Sequence, residues 1–202
     1  MNLPAGAVAS IRAFEKREKR KFRVLLICDS ESIEKKSKEK YGDLDIFLEC
    51  DFGNPADIAA TLAPYQDELC AITCRTESHM ARFIQIIPHV PYLRTPTTES
   101  LKWATDKLEM RRRFKLLAKK FTPQYAVVRE NTKKERKRVI EKISFPMILK
   151  PTNLAQSLLV SICYHEEDLK HALTHAYKKI YKIYQENGRI EEPQMMVEEF
   201  ME

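Results

Sequence analysis

The chain reads as an α/β protein in two parts, a small, mostly parallel α/β layer followed by an α+β unit. Three observations predict this. Up to about residue 96, apolar runs of strand length alternate with helix-length segments, the rhythm of parallel strands joined by crossover helices. From Thr98 the texture changes, and two strand-like runs stand beside each other with only a short loop between them. The composition, 44% hydrophobic and 32% charged, fits a folded globular chain, and 202 residues suffice for one large or two small domains.

Residues 1–21 read as an N-terminal arm, weakly helical at first and then EKREKRK, whose alternating signs suit a solvated face. Order begins at FRVLLICDS, an apolar run closed by polar residues, as in a strand buried on both faces. A charged, helix-compatible piece (Ser32 to Tyr41) leads to a second strand, DIFLEC. PADIAATLAPYQDEL has helical periodicity, with Asn54 or Asp51 available as cap. CAITCR is read as a third strand, SHMARFIQIIP as a helix stopped by Pro88, and VPYLRT as a short fourth strand.

The second part opens on SLKWATDKLEMRRRFKLLAKKF, a long helical stretch with a break predicted near Ala104. FTPQYAVVRE turns at Pro123 into a strand, and NTKKERKRVIEKI is an amphipathic basic helix capped by Asn131 or Thr132. FPMILKP and SLLVSICYH form a hairpin-like pair. EEDLKHALTHAYKKIYKIYQENG is a long helix ended by Gly188, and PQMMVEEFME is a last strand.

Several classes of function fit the sequence poorly. No apolar run reaches the ~18–20 residues that cross a bilayer, and the N-terminus does not read as a signal peptide, so a cytoplasmic, membrane-free setting is expected. The five cysteines (Cys28, Cys50, Cys70, Cys74, Cys163) read as reduced, buried hydrophobes, and Cys70 and Cys74 lack the companion pair of a zinc site. His171 and His175 have metal-ligand spacing without a third ligand. Between Lys107 and Lys142 stand fourteen Lys/Arg and four Glu, a charge that suits a polyanion, either nucleic acid or a nucleotide's triphosphate. KKERKR (Lys133 to Arg138), interleaved with Val139 and Ile140, reads as a solvated helix face rather than a nucleic-acid patch. Lys150 ends the apolar strand MILK, where an unpaired ammonium would be costly; it needs a carboxylate partner or an anionic ligand.

Three segments then carry a resemblance: ATDKLEMRRRF (Ala104 to Phe114) followed by FTPQY, FPMILKPTNLAQSLLVSICYHEEDL (Phe145 to Leu169), and VEEFME (Val197 to Glu202). In that order and at those separations they resemble the first half of an ATP-grasp ligase domain, and the α/β layer before them resembles a pre-ATP-grasp domain. The implied organisation is an arm (1–21), a pre-ATP-grasp domain (22–97) and the N-terminal part of an ATP-grasp domain (98–202), with its lid about 124–197. The resemblance implies that Lys150 contacts the α- and β-phosphates of ATP and that Lys107 reaches phosphate from the other side of the cleft. Glu198 and Glu199 would hydrogen-bond the adenine amino group through backbone or side chain, and Met201 would supply an amide and an apolar contact. The lid loop TNLAQS departs from the family in having no glycine; Asn153, Gln156 and Ser157 are its candidate polar contacts. The implied activity is ATP-dependent carboxylate–amine ligation of the amino-acid or peptide type through an acylphosphate, with small carboxylate and amine substrates and no nucleic-acid partner. Magnesium ligands and catalytic residues are expected beyond residue 202, so these residues alone are expected to be inactive as a ligase. The alternative is a non-catalytic or degenerate nucleotide-binding or interaction module.

Overall fold

Asn54 shows how local chemistry sets the first unit. Its side chain accepts from the backbone N–H groups of Ala56 at 3.0 Å and Asp57 at 3.4 Å, and Pro55 follows at a position where no N–H is needed. The computed structural model describes residues 6–30, 44–187 and 189–201. The piece expected to be helical over Ser32 to Tyr41, and Gly188 as a helix stop, lie outside them. The chain divides into two compact units, Met1–Pro96 and Thr97–Glu202.

The first unit begins with α1 (Ala7–Glu18). Arg12 ties it to the rest of the unit, donating to Asp45 at 2.6 Å and to the Phe22 carbonyl at 2.9 Å. Then β1 (Leu25–Asp29) pairs in parallel with β2 (Ile46–Cys50), Leu25 opposite Ile46. α2 (Pro55–Leu62) and α3 (Met80–Ile86) follow. Ile58 and Leu62 bury one face of α2 against Ile27, Cys50, Phe52, Ile86 and Val90. Arg82 of α3 returns to Asp29 at the end of β1, at 2.6 Å.

Two sequence expectations fail here. Neither CAITCR nor VPYLRT is a strand, and the described sheet of this unit has two strands rather than four. Ile72 and Leu93 still pack against the core. Their apolar runs are therefore satisfied by burial without a ladder, and a short apolar run fits either outcome.

In the second unit, Thr97 caps α4 (Thr98–Thr105) by accepting from the Ser100 N–H at 3.1 Å. Asp106 then ends α4 and caps α5 (Lys107–Leu117), accepting from Leu108 at 2.7 Å and Glu109 at 3.1 Å. The break predicted near Ala104 thus falls at the residue whose short carboxylate competes for backbone N–H groups. β3 (Tyr125–Val128) and α6 (Lys133–Lys142) follow, with Thr132 rather than Asn131 as the cap. Glu135 is buried in the first turn of α6; Arg138 beside it, with the Arg129 N–H, holds its carboxyl down at about 2. Lys133, Lys134 and Lys137 are exposed as expected, but Arg136 is buried with Glu135, so KKERKR is only in part a solvated face.

β4 (Met147–Pro151) and β5 (Ser161–Cys163) make the expected antiparallel pair; α7 (Glu166–Glu186) and β6 (Met195–Glu199) complete the unit. The sheet has the order β3-β6-β4-β5, every pairing antiparallel. Met147, Leu149, Met195 and Val197 face a core shared with Leu169, Leu173, Ala176 and Ile180 of α7. Alternation along the strands therefore turns Ile148, Lys150, Met196 and Glu198 to the opposite face.

Cys28, Cys50 and Cys163 are buried, as read, and burial pushes the Cys50 and Cys163 thiols up to about 11. Cys70 is exposed and Cys74 half-buried, which corrects the reading for that pair. Among the described residues no three His, Cys, Asp or Glu side chains come together as a metal site, and no helix is long and apolar enough to cross a membrane.

Candidate functional site

Lys150 is placed by strand alternation on the face away from the main core, near the end of β4. Its register partner on β6 is Met196, and Glu198 lies diagonally across, opposite Ile148. The Lys150 ammonium donates to Glu198 Oε1. From α5, Arg111 donates through Nε to Glu198 Oε2 at 2.9 Å and through Nη2 to Oε1 at 3.4 Å. All three side chains are largely buried, Glu198 at 6% exposure, Lys150 at 13% and Arg111 at 17%. Burial pushes the Glu198 carboxyl up, but the hydrogen bonds from Arg111 and Lys150 outweigh it and hold the group below the usual carboxylate range.

The cluster therefore carries two cations on one anion, a net positive charge set on a sheet face at low dielectric. Such a place favours a bound anion. A third cation stands at the start of α5, the helix that carries Arg111. The Lys107 ammonium donates to the Leu154 carbonyl at 2.6 Å, and the Lys107 N–H donates to the Thr152 carbonyl at 2.7 Å. Lys107 is thereby fixed at the root of the loop that joins β4 to β5.

That loop resolves the departure noted in the sequence. It contains no glycine, yet Gln156, Ser157 and Leu159 take left-handed backbone with φ of 58°, 55° and 57°. The chain adopts at non-glycine residues the conformation that glycine takes at little cost. Ser157 is exposed at the turn, and its carbonyl accepts from the Val160 N–H at 3.2 Å. Asn153 is buried, and its side-chain oxygen accepts a hydrogen bond from the Tyr184 hydroxyl. Replacing Ser157 with glycine removes about 1 kcal/mol of backbone strain, against an entropic loss of about half that size. Ser157→Gly is therefore expected to leave the melting temperature unchanged or raise it by about 2 °C, by scanning calorimetry; a fall of several degrees would mean the serine side chain holds the loop.

The remaining expected site residues divide. Glu199 points away from Glu198; its Oε2 accepts from the Gln124 N–H at 3.2 Å, and its own N–H donates to the Gln124 carbonyl at 2.9 Å. Its side chain is thus engaged with the residue just before β3. Met201 lies just past β6 with 60% of its surface exposed. The structure brings Lys150 and Glu198 together, sets Lys107 at the loop root and leaves Ser157 and Met201 open. It also adds Arg111. The sequence signal for Arg111 was only its position one turn after Lys107, on the same helical face.

Residues 119–198 match the family described as D-ala D-ala ligase C-terminus. None of the curated proteins matches the sequence. Among solved structures, the L-amino acid ligase of Bacillus licheniformis is similar at 13% identity and a TM-score of 0.61, covering 95% of this chain and 43% of that one. An N5-carboxyaminoimidazole ribonucleotide synthetase in complex with ADP gives 14% identity and a TM-score of 0.61, with 96% and 44% covered. The biotin carboxylase of Campylobacter jejuni, in complex with β,γ-ATP, gives 14% and 0.57, with 96% and 43% covered. At such identities the likeness is one of fold, and the chain spans less than half the length of each of these proteins.

Proposed function

We propose that this chain, whose fold is that of the ATP-grasp ligases, is the ATP-binding portion of an ATP-dependent carboxylate–amine ligase of the amino-acid or peptide type. The observation that carries the proposal is the buried Arg111–Glu198–Lys150 cluster, with Lys107 fixed at the root of the adjoining loop. Lys150 and Lys107 supply the positive charge for the phosphates, and the end of β6, from Glu198 to Met201, takes the adenine. Glu198 accepts from the adenine amino group while its neighbouring cations keep it ionised. Ser157 and the left-handed loop close over the phosphates.

In the proposed reaction a substrate carboxylate oxygen attacks the terminal phosphorus as the bond to the ADP oxygen breaks. The amine nitrogen of the second substrate then attacks the acyl carbon and phosphate leaves. What this chain contributes is fixed positive charge and orientation, the larger part of catalysis in phosphoryl transfer. Among the described residues no three His, Cys, Asp or Glu side chains come together; magnesium would arrive with the nucleotide, held chiefly by its phosphates and water. The chain spans less than half of the ligase structures it resembles, and as part of this proposal these 202 residues alone are expected to bind nucleotide without ligase turnover.

Calorimetric titration with ATP and magnesium tests the proposal. Saturable heat that weakens about fivefold in Lys107→Met supports it. No saturable heat would favour a second reading, a non-catalytic interaction module. The observation behind that reading is an apolar stretch at the end of α5 and just beyond, where Leu116, Leu117 and Phe121 are 77%, 84% and 82% exposed.

A further inference from the structure

We infer that Arg111 is the positioning residue that sets which purine the site accepts, by holding Glu198 as an ionised and oriented hydrogen-bond acceptor. The inference rests on the nucleotide proposal above. Its geometric ground is the two-pronged contact from α5, Nε on one carboxylate oxygen and Nη2 on the other, between groups 87 residues apart. A planar guanidinium fixes the plane of a carboxylate as an ammonium on a flexible stem does not. Among the described residues, the Lys150 ammonium donates to Oε1, and Oε2 accepts from Arg111 alone.

The difference grows when the site is loaded. A phosphate competes with Glu198 for the Lys150 ammonium, while Arg111 lies along α5, one turn beyond the phosphate-side Lys107. In the loaded site Arg111 is therefore the cation that keeps the buried carboxylate ionised and facing the base. A carboxylate so held accepts from the amino group of adenine and opposes the oxo group that guanine carries at the same position. Discrimination then comes from repulsion of the wrong base as much as from attraction of the right one. The other groups set against Glu198 are Lys150 from β4 and, opposite it on β3, Tyr125, whose ring lies under the Lys142 ammonium at 5.9 Å. With Arg111 removed, burial is opposed by Lys150 only, and the carboxyl takes up a proton at higher pH.

The test compares wild type, Arg111→Met and Arg111→Lys, titrated with ATP and with GTP at about pH 8 and about pH 6. The Glu198 carboxyl is followed by carbon NMR without nucleotide. Arg111→Met is expected to lose the preference for ATP over GTP by about tenfold. Its ATP affinity relative to wild type is expected to fall a further ~3-fold between the two pH values, with the carboxyl midpoint raised. Arg111→Lys should recover part of both. A folded Arg111→Met that keeps the wild-type preference and pH ratio overturns the inference, leaving Arg111 a structural partner. Should Arg111→Met not fold, Arg111→Lys decides: a preference reduced about threefold supports the inference, and an unchanged one overturns it. Wild type that binds no ATP removes the nucleotide proposal and this inference together; wild type that binds while both variants keep its preference removes the inference alone.

Discussion

Glu198→Ala is expected to cost the second unit about 3 kcal/mol of stability. The substitution leaves Lys150 and Arg111 facing each other with no anion between them. Removing one partner of a buried ion cluster costs about 3–5 kcal/mol, because the desolvated charge that remains has lost its compensation. The lower end applies here, since Lys150 and Arg111 keep 13% and 17% exposure and can turn part of the way towards water. Glu198→Gln keeps the shape and one acceptor and should cost about 2 kcal/mol. Urea unfolding followed by tryptophan fluorescence reads this unit directly, because the chain's one tryptophan is Trp103, in α4, with Arg113 lying 3.9 Å over its ring.

The pH dependence has a definite sign. The folded carboxyl sits below its ordinary value, so the stabilisation is present above the unfolded pKa of about 4.3 and is lost as pH falls through the folded value. Wild type should therefore weaken in acid more steeply than Glu198→Ala. Inorganic phosphate should stabilise the variant more than wild type, by filling the vacated anion position. A loss below about 1 kcal/mol would mean that both cations reach water freely and that the cluster is not a desolvated site.

How much of this site the sequence carries depends on the distance over which each signal acts. Caps act over three residues, and Asn54, Asp106 and Thr132 start their helices where short polar side chains precede helical periodicity. Alternation in MILK places Lys150 and Leu149 on opposite faces. The same rule separates Glu198 from Glu199, but VEEF alone does not say which of the two turns to the cation-bearing face. That choice follows from register with Ile148 and Tyr125. CAITCR failed as a strand because pairing is decided by a neighbour, not by the run itself. The loop's left-handed residues were hidden for the opposite reason: the sequence gives a penalty at Gln156, Ser157 and Leu159, and the surrounding fold overrides it. Arg111 was the least legible, since its partner lies 87 residues away.

Lys150→Met separates binding from stability in the way that Glu198→Ala does not. Arg111 keeps both of its contacts to Glu198 in this variant, so the carboxylate remains paired and the stability loss should stay near 1 kcal/mol. The effect on nucleotide is larger and has two parts of the same sign. A charge-assisted contact to phosphate is lost, worth about 1.5–3 kcal/mol. The Glu198 carboxylate, now balanced by one cation instead of two, also repels the phosphates more strongly. ATP affinity should therefore fall about 30-fold, and adenosine, which lacks phosphates, should bind the variant and wild type alike. Lys150→Met combined with Glu198→Gln removes the repulsion and should recover about threefold of the phosphate-dependent loss, measured against Glu198→Gln alone. An ATP affinity within threefold of wild type would make Lys150 a partner of Glu198 and nothing more, and the anion site would then rest on Lys107 and Arg111.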